Sequence, residues 1–122
     1  MTTTAENWVD SYVRAWTSNT PEDIRAVFTD DATYKYRPDD PEPVTGLDAI
    51  VGEWLENRDE PGEWTFEYEV IGVDGDRIFV EGTTRYPGRD NPIYFNLWVV
   101  RLAADGRASE FTEWFMVPRK SA

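Results

Sequence analysis

The sequence Ile93-Tyr-Phe-Asn-Leu-Trp-Val-Val-Arg-Leu102 and, after a short loop, Ala108-Ser-Glu-Phe-Thr-Glu-Trp-Phe-Met-Val117 decides the fold. Both runs are rich in the aromatic and β-branched residues that favour strands. The loop between them contains Asp105-Gly106, a strong hairpin signal because glycine adopts positive φ without a steric penalty. Both alternating sets of side chains are apolar, whereas a sheet with one wet face alternates apolar with polar residues. We therefore expect a β-hairpin that is covered on both faces.

The chain before this hairpin is predicted to begin with helices and to continue with strands. Periodic apolar residues predict helices over 4–18 and 47–57, and a short one between them. The short helix starts at Thr20 as N-cap, buries Ile24, Val27 and Phe28, and is stopped by Asp30-Asp31. Alternation predicts strands over 32–37, 64–73 and 77–86. Helices on one face of an antiparallel sheet that ends in a four-stranded meander make an α+β fold.

Composition narrows the function classes. A chain of 122 residues suits one domain with one core. Its net charge of −12 argues against nucleic-acid binding, and no apolar run approaches the roughly 18 residues of a membrane span. The N-terminus lacks the pattern of a secretory signal, so a cytoplasmic location is expected. Because the sequence has no cysteine and no histidine, we expect no disulfide, no metal and no cofactor.

Four passages resemble the nuclear transport factor 2-like superfamily, which includes SnoaL-like cyclases, ketosteroid isomerase and limonene epoxide hydrolase. They are Trp8-x3-Tyr12-x3-Trp16, Val27-Phe-Thr-Asp-Asp-Ala-Thr-Tyr34, Pro43-Val-Thr-Gly46-Leu-Asp-Ala-Ile50 and the final strand that starts at Asp105-Gly106-Arg107. The resemblance implies one SnoaL-like domain over residues 1–122. In that fold, a cystatin-like α+β barrel, a curved antiparallel sheet wraps three N-terminal helices into a cone whose open end holds a small-molecule pocket. It implies no particular activity, because such scaffolds host unrelated functions.

Strand register determines which side chains face that pocket. A hairpin centred near Asp105 pairs Trp98 with Thr112, and a connection centred near residues 89–90 pairs Thr84 with Asn96. A slip of one residue would exchange the two faces. Large aromatic side chains with a few polar groups are typical of a ligand site, although tryptophans such as Trp54, Trp98 and Trp114 are more often core residues than ligand-stacking ones. The predicted ligand-binding residues are Tyr34, Tyr36, Trp54, Thr84, Tyr86, Tyr94, Asn96, Trp98, Thr112 and Trp114.

The opposite face of the hairpin is expected to meet a partner. Its members are too apolar to face water: Phe95, Leu97, Val99, Phe111 and Phe115. They predict a homodimer in which two sheets pack face to face. Glu113 belongs to this outer face in the predicted register, near an arginine such as Arg85 or Arg101.

Glu110 is the one acidic residue that the predicted register places inside the pocket. Desolvation at the apolar end of the cavity would raise its pKa, which makes Glu110 a candidate general acid or base beside Tyr34 as a candidate catalytic donor. The alternative is a solvated Glu110 at the strand end, paired with Arg101 or Arg107. Asn96, if buried, must bond a neighbour such as Thr84 or a ligand.

The groups that epoxide hydrolases of this superfamily use are missing. Their Tyr-x-Asn-x-Pro strand resembles Tyr34-Lys-Tyr36-Arg-Pro38, with Tyr36 in place of the asparagine. Gly82 and Thr84 stand where the resemblance implies an arginine and an aspartate, and Met116 stands near the position of a closing aspartate. Without these groups water activation loses its acid and base, which argues against epoxide hydrolysis.

Two classes of function remain for a pocket that accepts a hydrophobic or aromatic, electrically neutral molecule. The first is an isomerase or cyclase that acts through positioning and hydrogen bonds from Tyr34, Tyr36, Asn96 and Glu110. The second is a non-catalytic ligand-binding or accessory protein, favoured where a reaction needs strong acid–base groups. A purely structural oligomerisation domain is the third alternative.

Overall fold

The structure, a computed structural model, describes residues 3–119. Its helices are α1 (Thr4–Ser18), α2 (Pro21–Arg25) and α3 (Leu47–Glu56). Its strands are β1 (Phe28–Lys35), β2 (Val44–Thr45), β3 (Thr65–Asp74), β4 (Arg77–Arg85), β5 (Ile93–Leu102) and β6 (Ala108–Met116). The strands form one six-stranded sheet in the order β2-β1-β6-β5-β4-β3. The predicted α+β cone is confirmed, with β3 to β6 as the expected meander.

Helix α1 packs the predicted apolar face against the sheet. A capping box starts the helix: Glu6 N donates to Thr3 Oγ1 at 3.1 Å, and Thr3 N donates to Glu6 Oε1 at 3.2 Å. Trp8 and Val9, both in the second turn of the helix, are buried. Asn19 closes the helix in the left-handed conformation, with φ 53°. None of the helices within residues 3–119 is long and apolar enough to cross a membrane.

Helix α2 is shorter than predicted. Thr20 caps it as expected, but the helix ends at Arg25, and both Phe28 and Asp30-Asp31 lie in β1. This segment pairs with the start of β6 instead, because Ala108 N donates to the Val27 carbonyl at 2.8 Å. The pairing of β1 with β6 is parallel, so the sheet is mixed where an antiparallel one was predicted. Tertiary pairing has here overridden a helical spacing of apolar residues.

The pairing of β4 with β5 keeps the predicted faces. Thr84 lies opposite Tyr94, and Gly82 lies opposite Asn96, two residues from the predicted register. Side chains alternate between the two faces of a strand, so a shift of two residues leaves each side chain on its predicted face, and Thr84 and Asn96 still point into the cone.

Gly82 leaves space for an aromatic ring of the neighbouring strand. A methyl group added there would come within 2.5 Å of the Phe66 ring, which lies across this strand.

The pairing of β5 with β6 exchanges the predicted faces of β6. Arg101 pairs with Glu110 but Leu102 with Ala108, so Ser109 is an extra residue in the ladder, as in a β-bulge. Beyond this irregularity every pair is one residue away from the prediction, and Trp98 lies opposite Glu113. A slip of one residue moves each β6 side chain to the other side of the sheet.

The exchange corrects the predicted outer face. Phe111 is fully buried in the core and stacks on Tyr34, with the ring centroids 4.5 Å apart. Phe115 lines the cavity at the open end of the cone. Their places on the outer face are taken by Thr112 and Trp114. Phe95, Leu97 and Val99 stay on the outer face as predicted, because the register of β4 and β5 preserves it.

Candidate functional site

The open end of the cone contains a cavity of about 370 Å³, a size typical of small-molecule sites. Side chains from α1, β1, α3, β4, β5 and β6 line it, and most of them are aromatic. Eight of the ten predicted ligand-binding residues lie in its wall: Tyr34, Tyr36, Trp54, Thr84, Tyr86, Tyr94, Asn96 and Trp98. The cavity wall therefore follows the predicted arrangement on every strand except β6.

The predicted positions on β6 are wrong. Glu110 lies on the outer surface, where its Oε2 accepts a hydrogen bond from Arg101 Nε at 2.9 Å. The alternative in which Glu110 is solvated and paired with Arg101 describes the structure. Thr112 and Trp114 also face outward, and Trp114 is 47% exposed. The cause is the extra residue Ser109, which shifts the register of the whole strand.

The same shift brings Glu113 into the cavity. Asn96 Nδ2 donates to Glu113 Oε1 at 3.2 Å, and Thr84 Oγ1 donates to Asn96 Oδ1 at 2.8 Å. Thr84 and Asn96 are both buried, so the hydroxyl fixes which end of the amide faces the acid. The hydrogen bond predicted between Thr84 and Asn96 is present. Asn96 in turn binds Glu113, which the predicted register placed on the outer face of the sheet.

Glu113 is an acid in a poorly solvated place. Burial raises its pKa from the ordinary 4.5 to about 7, against the opposing effects of the Trp98 indole and the Asn96 amide. Within residues 3–119, Glu113 Oε2 and Trp98 Nε1 are buried without a well-formed hydrogen bond, although the indole lies close enough to lower that pKa. The groups that act on the carboxyl are neutral. A carboxyl of this kind exchanges its proton near neutral pH.

Two tyrosines complete the polar part of the cavity. The hydroxyls of Tyr12 and Tyr34 are 3.0 Å apart and form a hydrogen bond. Burial is the main cause that raises the pKa of both above the ordinary 10.0, and the nearby Glu113 raises both further. Both hydroxyls therefore remain protonated and able to donate. Tyr12 was not among the predicted pocket residues, because the apolar face of a helix does not reveal which end of that face borders a cavity.

A rim cluster, made of Trp16, Asn19, Asp59, Tyr86 and Arg89, joins the loops at the mouth. Asp59 Oδ2 accepts hydrogen bonds from Trp16 Nε1 at 3.1 Å and Tyr86 OH at 2.9 Å, and Arg89 Nη2 donates to Oδ1 at 3.3 Å. Asn19 Nδ2 donates to the Asp59 carbonyl at 2.8 Å. The Arg89 guanidinium lies 4.0 Å from the centre of the Tyr86 ring. These contacts join residues that are far apart in sequence, so no local sequence motif could predict them.

A second depression of about 810 Å³ lies elsewhere, between the start of α1 and strands β3 and β4. Two of its polar side chains are already engaged. Glu6 belongs to the capping box of α1, and Tyr68 OH donates to Asp10 at 3.4 Å. The smaller cavity at the open end is the better candidate because it contains the buried acid. No group of three or more acidic, histidine or cysteine side chains among the described residues is placed to hold a metal ion.

Comparison with known proteins identifies the family of this chain. Residues 9–112 match the family model of the SnoaL-like domain. The chain belongs to the SnoaL-like family. A search of curated proteins finds no match to this SnoaL-like protein.

Solved structures share the fold of this SnoaL-like protein at low sequence identity. An NTF-2 like protein of unknown function from Burkholderia xenovorans LB400 has a TM-score of 0.74 and 18% identity, over 98% of this chain and 88% of that chain. An LEH-like epoxide hydrolase of M. tuberculosis has a TM-score of 0.68 and 19% identity, over 94% and 84%. A putative SnoaL-like polyketide cyclase from Jannaschia sp. CCS1 has a TM-score of 0.63 and 14% identity, over 88% and 84%. At these identities the likeness concerns the fold alone.

Proposed function

We propose that this SnoaL-like protein binds a hydrophobic or aromatic small molecule in the cavity at the open end of the cone. The observation that carries the proposal is Glu113, a buried acid in an otherwise aromatic cavity, held by Asn96 and Thr84. A buried polar chain of this kind costs free energy unless its hydrogen bonds are completed. A ligand that completes them would offset that cost. The pocket therefore has both apolar walls for affinity and a polar end for orientation.

A reaction in this pocket would be an isomerisation or a cyclisation. A carboxyl whose pKa is about 7 is suited to proton transfer near neutral pH, which makes Glu113 the candidate acid or base in place of Glu110. Tyr34, hydrogen-bonded to Tyr12, is the candidate donor to an oxygen that gains negative charge. The alternative is a binding or accessory protein in which the same groups only hold the ligand. Epoxide hydrolysis is not proposed, because Gly82 and Thr84 supply no charge.

A thermal-shift screen with aromatic and polyketide-like compounds tests the proposed pocket. Hits are expected to raise the melting temperature of the parent protein, and Asn96→Leu and Glu113→Gln are expected to weaken their binding by about tenfold or more, since the first removes the amide that orients the acid and the second removes the acid itself. Glu110→Gln is the matched control and keeps the parent response, because Glu110 lies on the outer surface. Equal affinity of every hit for the parent and both pocket variants would place the site elsewhere.

We also propose a homodimer formed through the outer face of the sheet. Its most exposed apolar side chains are Phe95 at 49%, Trp114 at 47% and Met116 at 72%. Leu97 and Val99 lie on the same face and extend the patch. A patch of this kind is rare on a monomer, and a second copy packed sheet to sheet would cover it.

Sedimentation velocity tests the dimer. The parent protein is expected to sediment as a dimer, and the double variant Phe95→Glu, Trp114→Glu as a monomer, because two charges would be buried without partners. Val73→Glu is the control: Val73 is 62% exposed but borders the second depression, away from the outer face. A parent protein that stays monomeric at about 100 μM, well above typical homodimer dissociation constants, would contradict the dimer.

A further inference from the structure

We propose that the ligand carries a positive charge, as a protonated amine, and that this charge lies between the Glu113 carboxylate and the aromatic wall of the cavity. The proposal rests on the cavity being a ligand site, as proposed above. It departs from the neutral ligand that the sequence alone predicted, because that prediction placed Glu113 outside the pocket.

The first observation is that Glu113 has no cationic partner among residues 3–119. Buried carboxylates in proteins are usually paired, because an isolated buried charge is costly. The described residues around Glu113 give it one amide donor at 3.2 Å and the neutral indole of Trp98 nearby, and they leave Oε2 without a well-formed hydrogen bond. Tyr12 and Tyr34 approach it as neutral hydroxyls. An ammonium group supplies what is missing, namely a positive charge and N–H donors.

The second observation is the aromatic wall. Nine of the side chains that line the cavity are aromatic, and the faces of such rings attract cations. One ring already does so, since the guanidinium of Arg89 lies 4.0 Å from the centre of the Tyr86 ring. The same wall can hold a second cation deeper in the cavity, beside Glu113. Cages of aromatic rings are the arrangement by which proteins recognise substituted ammonium ions.

The third observation is that the arginines at the mouth are engaged. Arg58 Nε lies 3.4 Å from Glu60 Oε1, and Arg89 Nη2 lies 3.3 Å from Asp59 Oδ1. An anionic ligand therefore has to displace Glu60 or Asp59 before it can form an ion pair with either arginine. The net charge of −12 acts in the same direction, because it raises the local concentration of cations and lowers that of anions.

Protonation provides a signature of this arrangement. Burial favours the neutral form of Glu113, whereas an ammonium group beside it favours the carboxylate. Asn96 and Trp98 on β5 do not titrate in the accessible range, and Tyr12 on α1 and Tyr34 on β1 stay neutral, so Glu113 dominates the response. Affinity for an amine is therefore expected to fall about tenfold per pH unit as the pH drops below 7. Binding at pH 7 releases protons.

The test compares 2-phenylethylamine with 2-phenylethanol, which share a skeleton and differ in charge at pH 7.5. Isothermal titration calorimetry on the parent protein is expected to show about tenfold tighter binding of the amine, and proton release visible as a dependence of the heat on the buffer. Glu113→Gln is expected to remove both the preference and the proton release. Glu110→Gln, with the same change of charge on the outer face of the same strand, is expected to keep them.

The outcomes separate the two proposals. If the alcohol binds as tightly as the amine, or if Glu113→Gln keeps the preference, the proposal of a charged ligand is wrong, whereas the proposal of the pocket is unaffected. If neither probe binds and no compound of the aromatic screen does, the pocket itself is wrong, and the charged ligand falls with it.

Discussion

Glu113→Gln is expected to stabilise the protein by about 3 kcal/mol above pH 8 and to leave its stability nearly unchanged near pH 4. Glutamine keeps the shape of the protonated acid and its hydrogen bond to Asn96, but it cannot acquire a buried charge. Most substitutions destabilise proteins, so a gain of this size at a side chain of the pocket is an unusual outcome. It follows directly from the burial of Glu113.

The direction of the effect follows from where the proton is bound. The pKa of Glu113 is about 7 in the folded protein against an ordinary 4.5. Between these values the folded state holds a proton that the unfolded state has released, so the free energy of unfolding decreases as the pH rises. The contribution is fully present below 4.5 and is lost as the pH rises through 7. At about 1.4 kcal/mol per pH unit, the interval amounts to about 3 kcal/mol.

Urea unfolding of both proteins at several pH values between 4 and 9 measures this difference. Subtracting one curve from the other cancels the remaining titrating groups, which the two proteins share. Glu110→Gln is the control, because it makes the same change of charge at an exposed side chain on the outer face of the same strand. A Glu113→Gln variant that is less stable than the parent at pH 8.5 would mean that Glu113 is solvated or paired.

Trp98→Ala is expected to cost about 3–5 kcal/mol of stability, the range for removing a large aromatic from a core. Trp98 is 1% exposed and lies at the centre of the aromatic cluster. Its ring centroid is 4.5 Å from that of Tyr12 and 4.8 Å from that of Phe66, with which it is nearly parallel. Its loss would leave a cavity that these rings, themselves anchored on α1 and β3, can close only in part.

Chemical denaturation of Trp98→Ala and Trp98→Phe measures the effect as a graded pair. Trp98→Phe retains most of the ring and is expected to lose clearly less than the alanine variant. Because Trp98 also lines the pocket, the alanine variant is expected to widen the cavity and to weaken ligands that fit the parent. A loss below about 1 kcal/mol for Trp98→Ala, the value of a surface position, would contradict the central packing of this ring.

The parts of the fold that local sequence could predict are those with a regular period. The face of α1 that carries Trp8 and Val9, the cap at Thr20 and the four-stranded meander all follow from spacing and turn chemistry. The family resemblance supplied the cone and the position of its open end. These features depend on interactions between residues close in sequence or on a topology shared by many chains.

The predictions that proved wrong concerned features that depend on contacts between residues distant in sequence. Phe28 has the spacing of a helix residue, but the parallel pairing with β6 draws it into β1. Glu113 has the spacing of an outer residue, but the extra Ser109 turns it inward. Both faces of β6 are apolar, so hydrophobic pattern could not choose between the two registers. The ion pair between Arg101 and Glu110 was the one available signal, and it belongs to the register that the structure adopts.

The most direct test of the buried acid is a titration of the Glu113 side-chain carboxyl by ¹³C NMR, with Glu113→Gln to assign its resonance. A midpoint of about 7 is expected if Glu113 lies inside the aromatic cavity against Asn96. A midpoint near the ordinary 4.5 would show a solvated carboxyl, which would contradict the register of β6, the buried acid and the pocket function proposed from it.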